Sequence, residues 1–122
     1  MKIYCGTNMA KDKFDYCIAD SENILTRGNN CKNTTEEFER LNGVLNGFGD
    51  GFTSVIGMES TGINYIPLYS YLTSKGFGVR ILNGLEVRGM KRSGTRETSN
   101  DSIDAESTAV YLMYPEGDAR IP

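Results

Sequence analysis

Asp101 and Asp104 stand three residues apart in the stretch Asn100-Asp101-Ser102-Ile103-Asp104-Ala105-Glu106. On a helix that spacing puts both carboxylates on one face. Two further positions deserve pairing with them: Asn8, at the end of the strand-like opening of the chain, and Glu59, just past the β-branched stretch 53–57. Taken singly, each has an ordinary structural explanation. An Asp opening a helix caps it, a Glu after a strand is solvated, and an Asn forms turns. Taken together they form a strand-end residue, a strand-end Glu and a DxxD pair opening a late helix. Carboxylates gathered in this way repel one another unless cations neutralise them. The chemistry that fits is two-metal phosphodiester cleavage or strand transfer, in which two divalent ions roughly 3.5–4 Å apart activate the attacking oxygen and stabilise the leaving one. The chain has no histidine and only three cysteines, widely spaced with no CxxC pair, which together exclude the common zinc sites and any His-based triad. Any metal is therefore held by oxygen, which points to Mg2+ or Mn2+.

A basic run, Arg88, Lys91, Arg92 and Arg96, precedes the acidic cluster Asp101, Asp104 and Glu106. Alone it reads as a solvated loop; beside carboxylates it reads as a set of phosphate contacts. Lys11 is a further nucleic-acid candidate, and Lys13 a weaker one, since strand-edge lysines often serve only solubility. The net charge of −3 does not suggest a strong non-specific nucleic-acid binder. Three cysteines, Cys5, Cys17 and Cys31, are widely spaced with no CxxC pair, as expected of free thiols in a cytoplasmic protein. No apolar stretch is long enough to span a bilayer, and the N-terminus does not resemble a signal peptide.

The elements that must position these residues follow from periodicity. Residues 2–7, Phe14 to Ala19 and Ile24 to Cys31 read as three strands in an antiparallel meander. Asn33 and Glu36 have the spacing of a capping box, opening a helix whose apolar face is Phe38, Leu41, Leu45 and Phe48. Residues 53–57 read as an interior strand, and Met58 to Gly62 as the loop after it. Ile63 to Ser74 reads as a helix with Ile66, Leu68, Tyr71 and Leu72 inward and Lys75-Gly76 as its exit, and residues 78–82 as a strand. A short helix is expected over 85–91. Asn100 caps a last helix from Asp101 to Tyr114, with Ile103, Ser107, Val110, Tyr111 and Tyr114 as its buried face. Three antiparallel strands followed by alternating β and α units give an α/β fold with a mixed sheet flanked by helices, the order of the RNase H-like (RuvC-type) fold. At 122 residues the chain is a single domain, 1–122.

Cys5-Gly6-Thr7-Asn8-Met9-Ala10-Lys11-Asp12-Lys13-Phe14, Met58-Glu59-Ser60-Thr61-Gly62 and Asn100-Asp101-Ser102-Ile103-Asp104-Ala105-Glu106 resemble, in order, the DEDD transposases of insertion sequences, which include the pilin-gene-inverting recombinases. Val79-Arg80-Ile81-Leu82-Asn83 is similar to that family's strand before its basic segment. The resemblance implies metal-ligand roles for Glu59, Asp101, Asp104 and position 8, and DNA as substrate. It also implies a second domain bearing a serine nucleophile, which is absent here, a structured guide RNA in some members, and a homo-oligomer in the full-length protein. The family has an aspartate where this chain has Asn8, an aromatic at position 64 where this chain has Asn64, and basic or polar residues where Glu97 and Ser99 stand.

An amide oxygen can reach a metal but brings no charge and bridges two cations poorly. The chain is then a decayed copy or an engineered inactive fragment, and its activity as an enzyme stays open. A catalytically silent nucleic-acid-binding or assembly module of the same fold is the alternative. A third reading is an actin- or sugar-kinase-type nucleotide domain, from Gly6-Thr7-Asn8 followed by Lys11 and Lys13. It lacks a second lobe and leaves the DxxD pair without a role. Tyr4, Tyr65, Tyr69 and Tyr71 either pack or form an interface.

Overall fold

The computed structural model describes residues 2–48, 53–59, 62–82 and 105–113. They form β1 (Lys2–Met9), β2 (Lys13–Ala19), β3 (Ile24–Lys32), α1 (Thr35–Asn46), β4 (Thr53–Glu59), α2 (Ile66–Ser74), β5 (Gly78–Leu82) and α3 (Ala105–Leu112). The five strands make one sheet in the order β3-β2-β1-β4-β5. β1 pairs antiparallel with β2, and β2 with β3. β1 pairs parallel with β4, and β4 with β5. The expected α/β, RNase H-like mixed sheet is therefore the observed one.

Side chains alternate between the two faces of each strand, and the two faces have different covers. One is the main core: Ile3 and Cys5 of β1, Phe14 and Ile18 of β2, and Ile56 and Met58 of β4 meet Phe38, Leu41 and Leu45 of α1 and Leu68 and Leu72 of α2. The other carries α3. There Tyr4, Val55 and Leu82 pack with Tyr111 and Leu112, and Cys17 packs with Ala105 and Ala109. The tyrosines pack as well: Tyr71 lies against Phe38, and Tyr65 meets Tyr69 edge to face at 6.2 Å.

α3 lies close on the sheet because two paired glycines, Gly6 of β1 and Gly57 of β4, face it. A Cβ at Gly6 would run into the Ala105 carbonyl oxygen and the Ala109 nitrogen, both backbone atoms. At Gly57 the nearest atoms it would meet are those of the Leu112 side chain, from 2.9 Å. This contact corrects the expected face of the last helix. Ala105, Thr108, Ala109, Tyr111 and Leu112 are buried, Ser107 is half-buried and Val110 is exposed. Small residues face inward because the helix backbone sits so near the strand. Ile103 and Tyr114 lie outside the described residues, as does the short helix expected over 85–91.

Other expectations shift by a turn. β4 runs on through Met58 and Glu59, which the sequence placed in a loop, because both continue its parallel pairing with Ile81 and Leu82 of β5. α2 begins at Ile66 rather than Ile63, with Pro67 in its first turn, where a missing N–H costs nothing. Ile66 is exposed rather than inward, Leu68 and Leu72 are buried, and Tyr71 is half-buried. The helix leaves through Gly76 at φ +94°, where the Phe77 N–H donates to the Leu72 carbonyl at 3.1 Å, a Schellman closure. The capping box at Asn33 does not form. The N-cap of α1 is Thr34, one residue later, and it makes no side-chain cap bond.

Packing of this kind sets a ranking among glycine substitutions. Gly6→Ala is expected to destabilise by about 1–3 kcal/mol, the usual cost of overpacking, because the obstructing atoms are backbone. Gly57→Ala is expected to cost less, since the Leu112 side chain can turn aside. Gly43→Ala, in α1 with open space around it, should stabilise by about 0.5–1 kcal/mol. Urea unfolding of the three variants tests the order, and a Gly6→Ala variant as stable as the parent would mean that α3 does not lie on β1.

The thiols offer a second check. Burial pushes the Cys5 thiol far up, with Cys17 adding to the shift, and both cysteines are buried. Cys31 is half-buried, and its thiol is also raised, first by burial and then by Glu37. Since the thiolate is the nucleophile, iodoacetamide should label Cys31 first, at a rate still climbing above the ordinary thiol range, and Cys5 and Cys17 only after unfolding. Mass spectrometry reads the order, and early labelling of Cys5 would contradict an interior β1.

Candidate functional site

β1, β3, β4 and β5 run in one direction, so Met9, Lys32, Glu59 and Leu82 end at one edge of the sheet, where β2 begins at Lys13. In open α/β sheets the carboxyl ends of parallel strands are where ligands bind. The site can be built one row of residues at a time on the α3 face. The first row runs Arg27, Cys17, Gly6, Gly57 and Arg80 from β3 to β5. Its three central residues are small, and α3 lies across them. The Arg27 guanidinium meets the Glu106 carboxylate at 3.2 Å. Both side chains are about half exposed, so this pair orients the first turn of α3 more than it stabilises the fold.

Two residues further toward the carboxyl ends comes the next row, containing Asp15, Asn8 and Glu59. Asn8 pairs directly with Asp15. Glu59 is as far beyond Gly57 as Asn8 is beyond its partner Gly6, so continuing that register sets the two at the ends of neighbouring strands. By the strand alternation both share the face that α3 covers further down, and both are half-buried. Two of the four expected site residues thus stand on adjacent strands that are far apart in the sequence. Beside them the Thr7 hydroxyl, on the opposite face, donates to the Gly57 carbonyl at 3.0 Å and is buried, which fixes the two strands where the site begins.

Asp101 and Asp104 lie outside the described residues, as do Arg88, Lys91, Arg92 and Arg96. Ala105, which follows Asp104 in the chain, is set over Gly6. Among the described residues no group of three or more His, Cys, Asp or Glu side chains could hold a metal ion. The two expected ligands that are described, the Asn8 amide and the Glu59 carboxylate, offer oxygens that suit a hard cation such as Mg2+ or Mn2+. Two donors alone do not make such a site.

Three residues here escaped the sequence reading. Asp15 joins the row through its antiparallel pairing with Asn8, and its Oδ1 accepts from the Asn30 N–H at 2.8 Å. Asn30, at φ +57°, sits in a bulge where β3 places two residues opposite one of β2. Lys32 pairs with Lys13, so two lysines stand directly opposite at the same sheet edge as Lys11. Like charges so placed repel, and neither forms an ion pair among the described residues. Asn33 follows Lys32 and reaches across both neighbouring connections. Its Nδ2 lies 3.0 Å from the Ala10 carbonyl, 3.4 Å from that of Lys11 and 3.2 Å from that of Asn64. The alternating pattern of β2 could have pointed to Asp15. Nothing local distinguishes Asn33 from an ordinary N-cap.

No helix among the described residues is long and apolar enough to cross a membrane. No curated protein matches the chain significantly. The DEDD_Tnp_IS110 family model, described as a transposase, matches residues 5–121, a span that contains every element from β1 at Cys5 through α3. With that match spanning nearly the whole of the mixed sheet and its helices, this chain belongs to the IS110-type DEDD transposase family.

Proposed function

We propose that the chain is the catalytic-fold domain of a transposase that cleaves and joins DNA phosphodiesters with Mg2+ or Mn2+, and that Asn8 impairs this activity. The observation that carries the reading is the adjacency of Asn8 and Glu59 at the carboxyl ends of parallel β1 and β4, on the face where α3 begins. Asp101 and Asp104, just before α3, are proposed to complete the ligand set, with position 8 bridging. Bound divalent ions supply charge stabilisation to the attacking and leaving oxygens. The chain's own part is to hold oxygen donors at fixed strand ends and a basic border around them. Lys11, Lys13 and Lys32 stand at the same edge, and Arg88, Lys91, Arg92 and Arg96 are proposed to join them in contacting DNA phosphates. A further domain bearing a serine nucleophile, a structured guide RNA and assembly into oligomers belong to the same proposal.

Magnitudes show why Asn8 matters. Unit charges about 4 Å apart interact by on the order of 4 kcal/mol at an effective dielectric constant of 20, and each 1.4 kcal/mol is about tenfold in affinity. Losing one carboxylate beside two divalent ions therefore costs far more than any change in packing there. This favours, as a second reading, a catalytically silent nucleic-acid-binding or assembly module of the same fold.

Calorimetric titration of Mn2+ into the chain and into its Asn8→Asp variant separates the two. The variant is expected to take up two ions with at least about tenfold higher affinity than the parent, which takes one or none, and Glu59→Ala in the variant should abolish the gain. If neither protein binds Mn2+ at millimolar concentration, the cleavage reading fails and the silent module stands.

A further inference from the structure

A side-chain amide carries two N–H bonds, and the Asn33 amide faces three backbone carbonyl oxygens. Two belong to the connection between β1 and β2, Ala10 and Lys11. The third, Asn64, belongs to the entry to α2. The Asn33 backbone N–H also donates to the Asp12 carbonyl at 3.0 Å, so this residue holds the first connection by main chain and side chain together. The orientation of the amide is decided by its neighbours. With the group flipped, its oxygen would face three carbonyl oxygens, a purely repulsive arrangement. Asn33 Oδ1 is buried and without a hydrogen-bond partner among the described residues. The orientation that leaves this oxygen without a partner is the one that turns both amide N–H bonds toward the three carbonyls.

The two connections are those that follow the site strands. The first begins one residue past β1, two beyond Asn8, and the second leads from Glu59 at the end of β4 to α2. We infer that Asn33 is a positioning residue that ties these connections into one unit and so fixes Asn8 and Glu59 relative to each other. It touches neither metal nor substrate; it acts through the chain on either side of the site. The inference rests on the reading of Asn8 and Glu59 as site residues, and it gives the end of β3 a function that neither the capping pattern nor the strand pattern suggests.

Asn33→Asp is the decisive variant, being of the same size but without the N–H donors, and Asn33→Ala serves if the aspartate prevents folding. Two amides report on the connections: Ala10, whose N–H donates to the Lys13 carbonyl, and Ile66, whose N–H donates to that of Ile63. Hydrogen exchange on the full chain is expected to quicken about tenfold or more at both amides together, with Cys5 and Ile56 in the core unchanged. In the Asn8→Asp background, Mn2+ affinity is expected to fall by about 10- to 100-fold, as when a metal site's supporting hydrogen bonds are removed. An Asn33→Asp variant whose Ala10 and Ile66 amides and Mn2+ affinity match the parent's overturns the inference, because Asn33 then only fills space. Quickened exchange at Ala10 with Ile66 unchanged overturns it too, since the connections are then not tied. If the Asn8→Asp parent takes up no Mn2+, the metal reading fails by itself, and joint or absent acceleration at the two amides still decides whether Asn33 ties them.

Discussion

Helix α3 rests against β1 where position 6 has no side chain, so that the backbones of Ala105 and Ala109 occupy the space a Cβ would take. Much of the arrangement follows from this contact. The helix must present small residues, so Ala105, Thr108 and Ala109 face the sheet, and the larger Tyr111 and Leu112 spread toward Tyr4, Val55 and Leu82. Gly57, paired with Gly6, continues the shallow seat onto β4. A helix held this near has little freedom to slide, because its own main chain is the contacting surface. Its first residue is thereby anchored two positions before the strand ends that carry Asn8 and Glu59.

The opposite face is a conventional apolar core, in which α1 and α2 cover β1, β2 and β4. The division of labour has a physical basis. Leucine, isoleucine and phenylalanine fill the wide gap beneath two helices and supply most of the hydrophobic stabilisation. The contact with α3 is instead one of backbone against backbone at Gly6. Polar bonds then secure the end of the sheet: Thr7 to Gly57 between the parallel strands, Asp15 to Asn30 at the bulge, and Asn33 across both connections.

Charge at that end is mixed by design of the topology rather than by local composition. Lys13 and Lys32 face one another across β2 and β3, close to Lys11 and one row from acidic Asp15 and Glu59. The strand ends thus carry lysines at the border and carboxylates within. The neutral Asn8 reduces the negative charge at the centre of that row.

Periodicity and composition determined the elements, the mixed sheet and the main core, because alternation in β1 and β2 and the Phe38-Leu41-Leu45 stripe of α1 are local patterns that burial enforces whatever the partner. They also narrowed the chemistry: no histidine and three widely spaced cysteines leave oxygen as the donor expected for any metal. The ends of elements were less legible. Met58 and Glu59 belong to β4 because β5 pairs with them, and a strand's length depends on its neighbour. Only the tertiary structure decided which face α3 buries, since a helix with apolar residues on several sides takes its orientation from the surface it meets, here a glycine seat. It alone placed Asp15 beside Asn8 and turned Asn33 from a helix cap into a tie between two connections, because strand register and convergent carbonyls are properties of distant segments brought together.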